Sequence, residues 1–259
     1  MKSSNPALGG KTFEQYQPGI QYQPGIQSAG AMTINGTINK TLILLALVVI
    51  PAVYVWDMFY QSGIDTEGGL QNASLMYWLY GGLFGGLIFA FITIFKKTWA
   101  PFTAPIYAVL EGLFIGGISA IFEVQFSGIV FQAVALTFGT LFAMLVTYRL
   151  GLIKVTEKFK MGVVAATGAI FVVYLLSFVL SMFSVNVPFI HSGGTIGILF
   201  SLFVIVIAAL NLVLDFDFIE KGVEHGAPKY MEWYGGFGLI ITLVWLYIEF
   251  LRLLSKLRQ

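Results

Sequence analysis

Apolar residues in this chain form long uninterrupted runs instead of the alternation typical of a strand. After residue 40, seven runs are each long enough to cross a bilayer as a helix, which takes roughly 20 residues. They lie near residues 41–60, 77–95, 102–122, 129–148, 162–183, 195–214 and 234–254. Membrane-spanning strands would show alternating side chains. The pattern therefore predicts an all-α integral membrane protein, a seven-transmembrane-helix bundle.

Residues 1–39 are different, because they are polar and rich in Gly, Gln and Asn. The hexapeptide YQPGIQ occurs at 16–21 and again at 22–27. Pro and Gly in each copy oppose helix formation. The segment has no early apolar core of the kind a signal peptide contains, so we do not expect a signal peptide here. We predict a flexible tail over 1–39 and a membrane domain over 40–259, with a partner-binding arm as the alternative role for the tail.

Basic residues are distributed asymmetrically between the loops. They follow the second, fourth and sixth runs: Lys96, Lys97, Arg149, Lys154, Lys158, Lys160, Lys221 and Lys229. The loops after the first, third and fifth runs contain no Lys or Arg. By the positive-inside rule the N-terminus is cytoplasmic. Seven crossings from a cytoplasmic N-terminus place the C-terminus outside. Arg252, Lys256 and Arg258 lie near the C-terminus, which conflicts with the rule. Either these charges are tolerated outside, or the last segment does not cross completely.

The composition supports a membrane protein and excludes several functions. The chain is 58% hydrophobic and 10% charged, whereas soluble domains carry about 25% charge. The net charge of +1 gives no reason to expect a nucleic-acid partner, and the absence of cysteine excludes disulfides and thiolate metal sites. Only two histidines occur, so we do not expect a His-rich metal site. We expect the lipid bilayer as a partner and no resident cofactor, and protein partners are not indicated.

Acidic residues at membrane depth are the candidate functional groups, because an intramembrane charge costs about 3 kcal/mol or more. Glu111 lies in the middle of the third run, with no basic residue within one turn. It needs a polar partner on another helix, water or a proton. Two roles are possible for Glu111: it forms a structural hydrogen bond between helices, or it belongs to an ion or proton path. Asp57, at the end of the first run, is expected to be solvated.

Asp215 and Asp217 lie at the end of the sixth run, and Glu249 lies inside the seventh. Asp215 could be a solvated helix end, and Glu249 could form a local ion pair with Arg252, three residues on. Two carboxyls sharing one site cannot both ionise cheaply, so such a pair can hold one proton. It could also exchange protons for Ca²⁺, which prefers carboxylate oxygens.

Five segments resemble the Bax inhibitor-1/YccA family, in particular its bacterial members. They are SSNPALGGKTF, SAGAMTINGTINKTLILLAL, YAVLEGLFIGGIS and the pair LDFDFIEKG and LYIEFLRLL. The resemblance extends over nearly the whole chain. It implies a seven-helix fold with a central last helix, in the bacterial cytoplasmic membrane.

The resemblance also implies a pH-sensitive Ca²⁺ leak governed by an acid pair. Asp215 and Glu249 match that pair, and Glu111 matches an acid of the third span. The chain departs from the family in having Glu at position 249 and no arginine in its second span. For the acids to meet, the sixth helix must continue past Asp215 or the loop before the seventh must fold back. Asp217 is the alternative partner of Glu249.

Three other functions compete with a Ca²⁺ leak. The first is a proton-coupled small-solute transporter. Inverted repeats in the sequence would favour this function, and we find no convincing repeat. A regulatory membrane protein that transports nothing is the second. An intramembrane aspartyl protease needs an aspartate where GFGL, at 236–239, has leucine, so we predict that the protein is not an enzyme.

Overall fold

Seven long α-helices make up almost all of the described chain. The computed structural model describes residues 30–61, 73–183 and 194–259. The helices are α1 (Ile34–Gln61), α2 (Ala73–Phe95), α3 (Ala100–Gln125), α4 (Ile129–Arg149), α5 (Glu157–Met182), α6 (Thr195–Glu224) and α7 (Met231–Leu257). All seven are long and apolar enough to cross a membrane. The predicted all-α, seven-helix membrane fold is confirmed, and the YQPGIQ repeat lies outside the described residues.

The helices extend beyond their apolar runs, and α1 and α6 do so furthest. α1 begins at Ile34, inside the segment predicted to be a tail, and α6 continues to Glu224, ten residues past its predicted end. An apolar run marks the part of a helix that can lie at membrane depth, whereas backbone hydrogen bonds allow the helix to continue into polar sequence. α6 ends in a Schellman motif at Gly226, which has φ +64°. There the Ala227 N–H donates to the Gly222 carbonyl at 2.9 Å.

The outer surface of the helices is strongly apolar. Phe131 is 80% exposed and Phe171 is 66% exposed. Water-soluble proteins rarely expose large contiguous apolar patches, so this surface suits contact with lipid chains. α6 and α7 are the most enclosed of the described helices, with 56% and 61% of their most apolar windows buried.

The chain divides into two compact units. The α1–α3 unit comprises the described residues of Gly10–Val124 with Phe218–Ile240, the end of α6 and the start of α7. The α4–α7 unit comprises the described residues of Gln125–Asp217 with Ile241–Gln259. Both α6 and α7 therefore contribute to each unit.

Glycines bring the helix backbones of the α1–α3 unit close together. A Cβ at Gly112 would overlap the carbonyl oxygen of Val48 on α1, and one at Gly82 on α2 would lie 2.6 Å from the carbonyl oxygen of Leu110 on α3. Small residues spaced four apart allow such approach. Helix α3 is therefore packed closely against both α1 and α2.

A carboxylate from α7 caps the start of α1. The Gly36 N–H donates to Thr33 Oγ1 at 2.9 Å, which makes Thr33 the N-cap. The Thr33 N–H in turn donates to Glu232 Oε1 at 3.1 Å. In a capping box that second acceptor comes from the third helical residue, here Gly36. A side chain at Gly36 would overlap the Glu232 carboxylate, so Glu232 supplies the missing acceptor from another helix.

Glu232→Ala is expected to lower the free energy of unfolding by about 1–2 kcal/mol, because it removes the acceptor that completes the capping arrangement around Thr33. The half-buried Thr33 hydroxyl and its amide also lose their acceptor. The Gly36 amide should then exchange with deuterium faster. The control is Glu224→Ala, which removes an exposed carboxylate in the same unit. Equal stability losses in the two variants would contradict the capping role.

Candidate ion and proton site

Asp215 is enclosed in the α4–α7 unit, although it was expected as one alternative to be a solvated helix end. It is 2% exposed, and its Oδ2 accepts a hydrogen bond from the Thr242 hydroxyl of α7 at 2.6 Å. The solvated-end interpretation is wrong because α6 continues past this residue. From the sequence we expected that Asp215 could reach the last helix if the sixth helix continued past it, and α6 does continue.

Glu249 is 1% exposed and bound by two donors. Its Oε1 accepts from the Tyr174 hydroxyl of α5 at 2.9 Å and from Arg252 at 3.1 Å. The local ion pair with Arg252 is therefore confirmed. The other carboxylate oxygen, Oε2, is buried and accepts no hydrogen bond of ordinary geometry from the described residues.

Two contacts set the register between antiparallel α6 and α7. Thr242 bonds Asp215, and Lys256 bonds Ser201 at 2.8 Å. On each helix these contacts lie about four turns apart. Glu249 is about two turns from Thr242, roughly 10 Å along the axis. Asp215 and Glu249 thus bind different partners at different depths, and a proton shared between them stays a prediction.

Asp217 lies on α6 two residues beyond Asp215 and forms an ion pair with α5. Its Oδ2 is 3.2 Å from the ammonium nitrogen of Lys160, and both side chains are largely buried, at 13% and 12% exposed. Lys160 also approaches Glu157 at 3.4 Å, whose side chain is 60% exposed. Asp217 is therefore held at the end of the unit where α5 begins.

Glu111 belongs to the α1–α3 unit and lies where α3 passes closest to α2. It hydrogen-bonds Tyr107, one turn earlier on α3, and a Cβ at Gly86 of α2 would be 3.2 Å from its Oε2. Tyr107 is itself buried and packs edge-on against Phe237 of α7 with 5.0 Å between ring centroids. The sequence left a partner on another helix, water and a proton as alternatives for Glu111, and the hydroxyl that contacts it is on its own helix.

The basic residues at the C-terminus are bound to other parts of the α4–α7 unit. Lys256 is buried and donates to the Gly197 carbonyl at 3.0 Å and to Ser201 at 2.8 Å, both near the start of α6. The guanidinium of Arg252 lies over the Tyr174 ring at 4.8 Å as well as on Glu249. Both basic residues therefore have protein partners and are not free charges in a loop.

Arg258 extends the same pattern to α4. It donates to the Ser127 carbonyl at 2.7 Å and to Gln132 at 2.9 Å. α7 thus ends at the end of the unit where α4 and α6 begin. It is long and apolar enough to cross, and its basic residues bind protein groups, while the side of the membrane on which it ends stays a prediction.

The hydroxyl donors at the acids were missed by sequence reasoning. Tyr174 and Thr242 are 75 and 27 residues away in sequence from the carboxyls they bind, so no local pattern indicates them. Tyr107 could have been found, because it lies one turn before Glu111. A fourth buried polar contact, Asn211 of α6 to Thr167 of α5 at 2.8 Å, also had no sequence signal.

The described residues contain no group of three or more His, Cys, Asp or Glu side chains placed to hold a metal ion. Each carboxyl has to be considered with its own neighbours. At Glu249 those neighbours are one phenol, one guanidinium and, one turn before it on α7, Trp245, and the ammonium group of Lys256 also acts on it electrostatically. At Asp215 the hydroxyl of Thr242 donates a hydrogen bond at 2.6 Å.

Seven membrane-crossing helices with buried carboxyls on the sixth and seventh define a polytopic integral membrane protein with candidate ion-handling groups. The chain belongs to the Bax inhibitor 1-like family, because the sequence model of that family matches residues 5–259. No curated protein and no solved structure gives a significant match.

Proposed function

We propose that this protein is a Ca²⁺ leak pathway gated by protonation of its membrane-buried carboxyls, in the bacterial cytoplasmic membrane with its N-terminus in the cytoplasm. The observation that carries the proposal is the burial of Asp215 and Glu249, 2% and 1% exposed, on adjacent membrane-crossing helices of one unit. Ionisable groups at membrane depth are costly and typically mark ion or proton pathways.

The acids of the α4–α7 unit are placed at successive depths. Asp217 lies near the end of the unit where α5 begins, Asp215 lies on the same helix half a turn before it, and Glu249 lies about two turns further along α7. A conducted ion must bind well enough to enter and weakly enough to leave, which several weak sites achieve better than one strong site. Separate carboxyls at staggered depths suit that requirement.

Protonation provides the gate in this proposal. An ionised carboxylate attracts Ca²⁺, which prefers hard oxygen ligands, and a protonated carboxyl does not. Glu111, in the other unit, is a further acid that can take up a proton. Tyr107, which forms a hydrogen bond with Glu111, is an uncharged phenol. This partner therefore does not neutralise the charge of an ionised Glu111.

Neutralising either acid is expected to reduce Ca²⁺ entry into proteoliposomes. We expect Asp215→Asn and Glu249→Gln each to lower the initial rate about tenfold, the factor corresponding to a barrier increase of about 1.4 kcal/mol. A dye trapped in the vesicles reports the rate. Asp57→Asn is the control, since it removes an exposed carboxylate at the end of α1.

Unchanged rates in both variants would refute the proposal. Proton movement that depends on an added solute and not on Ca²⁺ would instead support a proton-coupled transporter. The same vesicles and a pH-sensitive dye distinguish these outcomes.

A further inference from the structure

Glu249 is held by a cation of the protein's own. Arg252 Nη1 lies 3.1 Å from Glu249 Oε1. Arginine commonly binds a carboxylate through two parallel hydrogen bonds, but here only one carboxylate oxygen is engaged. Oε2 is buried and has no hydrogen-bond partner of ordinary geometry among the described residues. The ion pair is therefore incomplete on the carboxylate side.

Tyr174 supports both members of this pair. Its hydroxyl donates to the same Oε1 at 2.9 Å, and its ring lies under the Arg252 guanidinium at 4.8 Å. Cation–π contacts of this kind are worth about 0.5–2 kcal/mol. The ring thus holds the guanidinium beside the carboxylate, while the hydroxyl fixes the carboxylate itself.

The two charged residues differ in their freedom to move. The Glu249 side chain is 1% exposed, whereas the Arg252 side chain is 40% exposed. Breaking a buried pair by moving the buried charge would be costly, because the carboxylate would lose its compensation. The arginine can leave towards the surface at lower cost. It is the movable member of the pair.

We infer that Arg252 is a tethered counter-cation that occupies Glu249 and has to be displaced before a free cation can bind there. This inference rests on the proposed Ca²⁺ leak and assigns a positioning residue within it. Arg252 competes with the conducted ion for Oε1 and Oε2 of Glu249. It therefore sets the Ca²⁺ concentration at which the leak is half-saturated, and it leaves the maximal rate to the rest of the pathway.

The test compares arginine variants in Ca²⁺ flux over a range of Ca²⁺ concentrations. We expect Arg252→Gln to lower the half-saturating concentration about tenfold with a maximal rate close to wild type. Arg252→Lys keeps the competing charge and should stay near the wild-type concentration. Arg258→Gln is the matched control, because Arg258 bonds Ser127 and Gln132.

A second measurement separates this inference from the leak itself. Tb³⁺ is a hard cation whose luminescence is excited through nearby aromatic rings, and its binding to the full chain in detergent needs no flux. Tighter Tb³⁺ binding in Arg252→Gln that is lost when Glu249→Gln is added supports the inference, even if the wild type carries no Ca²⁺. If Ca²⁺ flux depends on Glu249 but Arg252→Gln leaves half-saturation unchanged, the inference is overturned and the leak stands. Unchanged Tb³⁺ affinity in Arg252→Gln would overturn it as well.

Discussion

Gly112→Ala and Gly116→Ala are each expected to lower the free energy of unfolding by about 1–3 kcal/mol, the usual cost of overpacking. At Gly116 the added carbon would lie 2.5 Å from the carbonyl oxygen of Ala52 on α1, and at Gly112 it would overlap the carbonyl of Val48. These obstacles are backbone atoms of a helix. They cannot rotate away as the end of a side chain can, so α1 would have to move away from α3.

Reversible unfolding in mixed micelles measures the loss. The control is Gly81→Ala in α2, because a Cβ at Gly81 would meet no atom within 4 Å. Alanine favours a helix over glycine by up to about 1 kcal/mol, so this variant should be as stable as wild type or more stable. Opposite signs are expected from the same substitution. A similar loss at Gly81 and Gly112 would contradict the close-packing account.

The helices could be predicted from sequence because each membrane-crossing segment carries its own signal. Twenty apolar residues indicate a span regardless of the rest of the chain. The end of α6 could not be predicted this way, since the helix continues through the polar segment that contains Asp215 and Asp217. Its end depends instead on Gly226, whose positive φ closes the last turn.

The partners of the acids were predictable only where they are local. The Glu249–Arg252 pair is three residues apart on one helix and was foreseen as an alternative. Tyr174 and Thr242 reach their carboxyls only through the packing of α5, α6 and α7. Sequence spacing contains no information on how far one helix is displaced along another, and that displacement separates Asp215 from Glu249 in depth.

The buried capping residue shows the same limit. Glu232 is 1% exposed at the start of α7, yet its sequence neighbours mark it as an ordinary helix-end acid. Its role comes from Thr33, 199 residues away. The glycine at position 36 is the local half of this arrangement, since it leaves room for the carboxylate.

The pH dependence of Ca²⁺ flux is expected to show the largest functional effect. Ionised Asp215 and Glu249 attract the cation, and proton uptake removes that attraction, so flux should fall as the medium is acidified. In the double variant Asp215→Asn/Glu249→Gln, neither residue can gain or lose a proton in this way. Its small residual flux should no longer respond to pH.

The most direct test is the initial Ca²⁺ flux at neutral and acidic pH, in a background where His191 and His225 are replaced by glutamine so that no histidine can titrate. The account predicts a flux that falls on acidification with both acids present and an unresponsive flux in the double variant. A flux that is equal at both pH values with the acids present, or that keeps its full pH response without them, would contradict gating by these carboxyls.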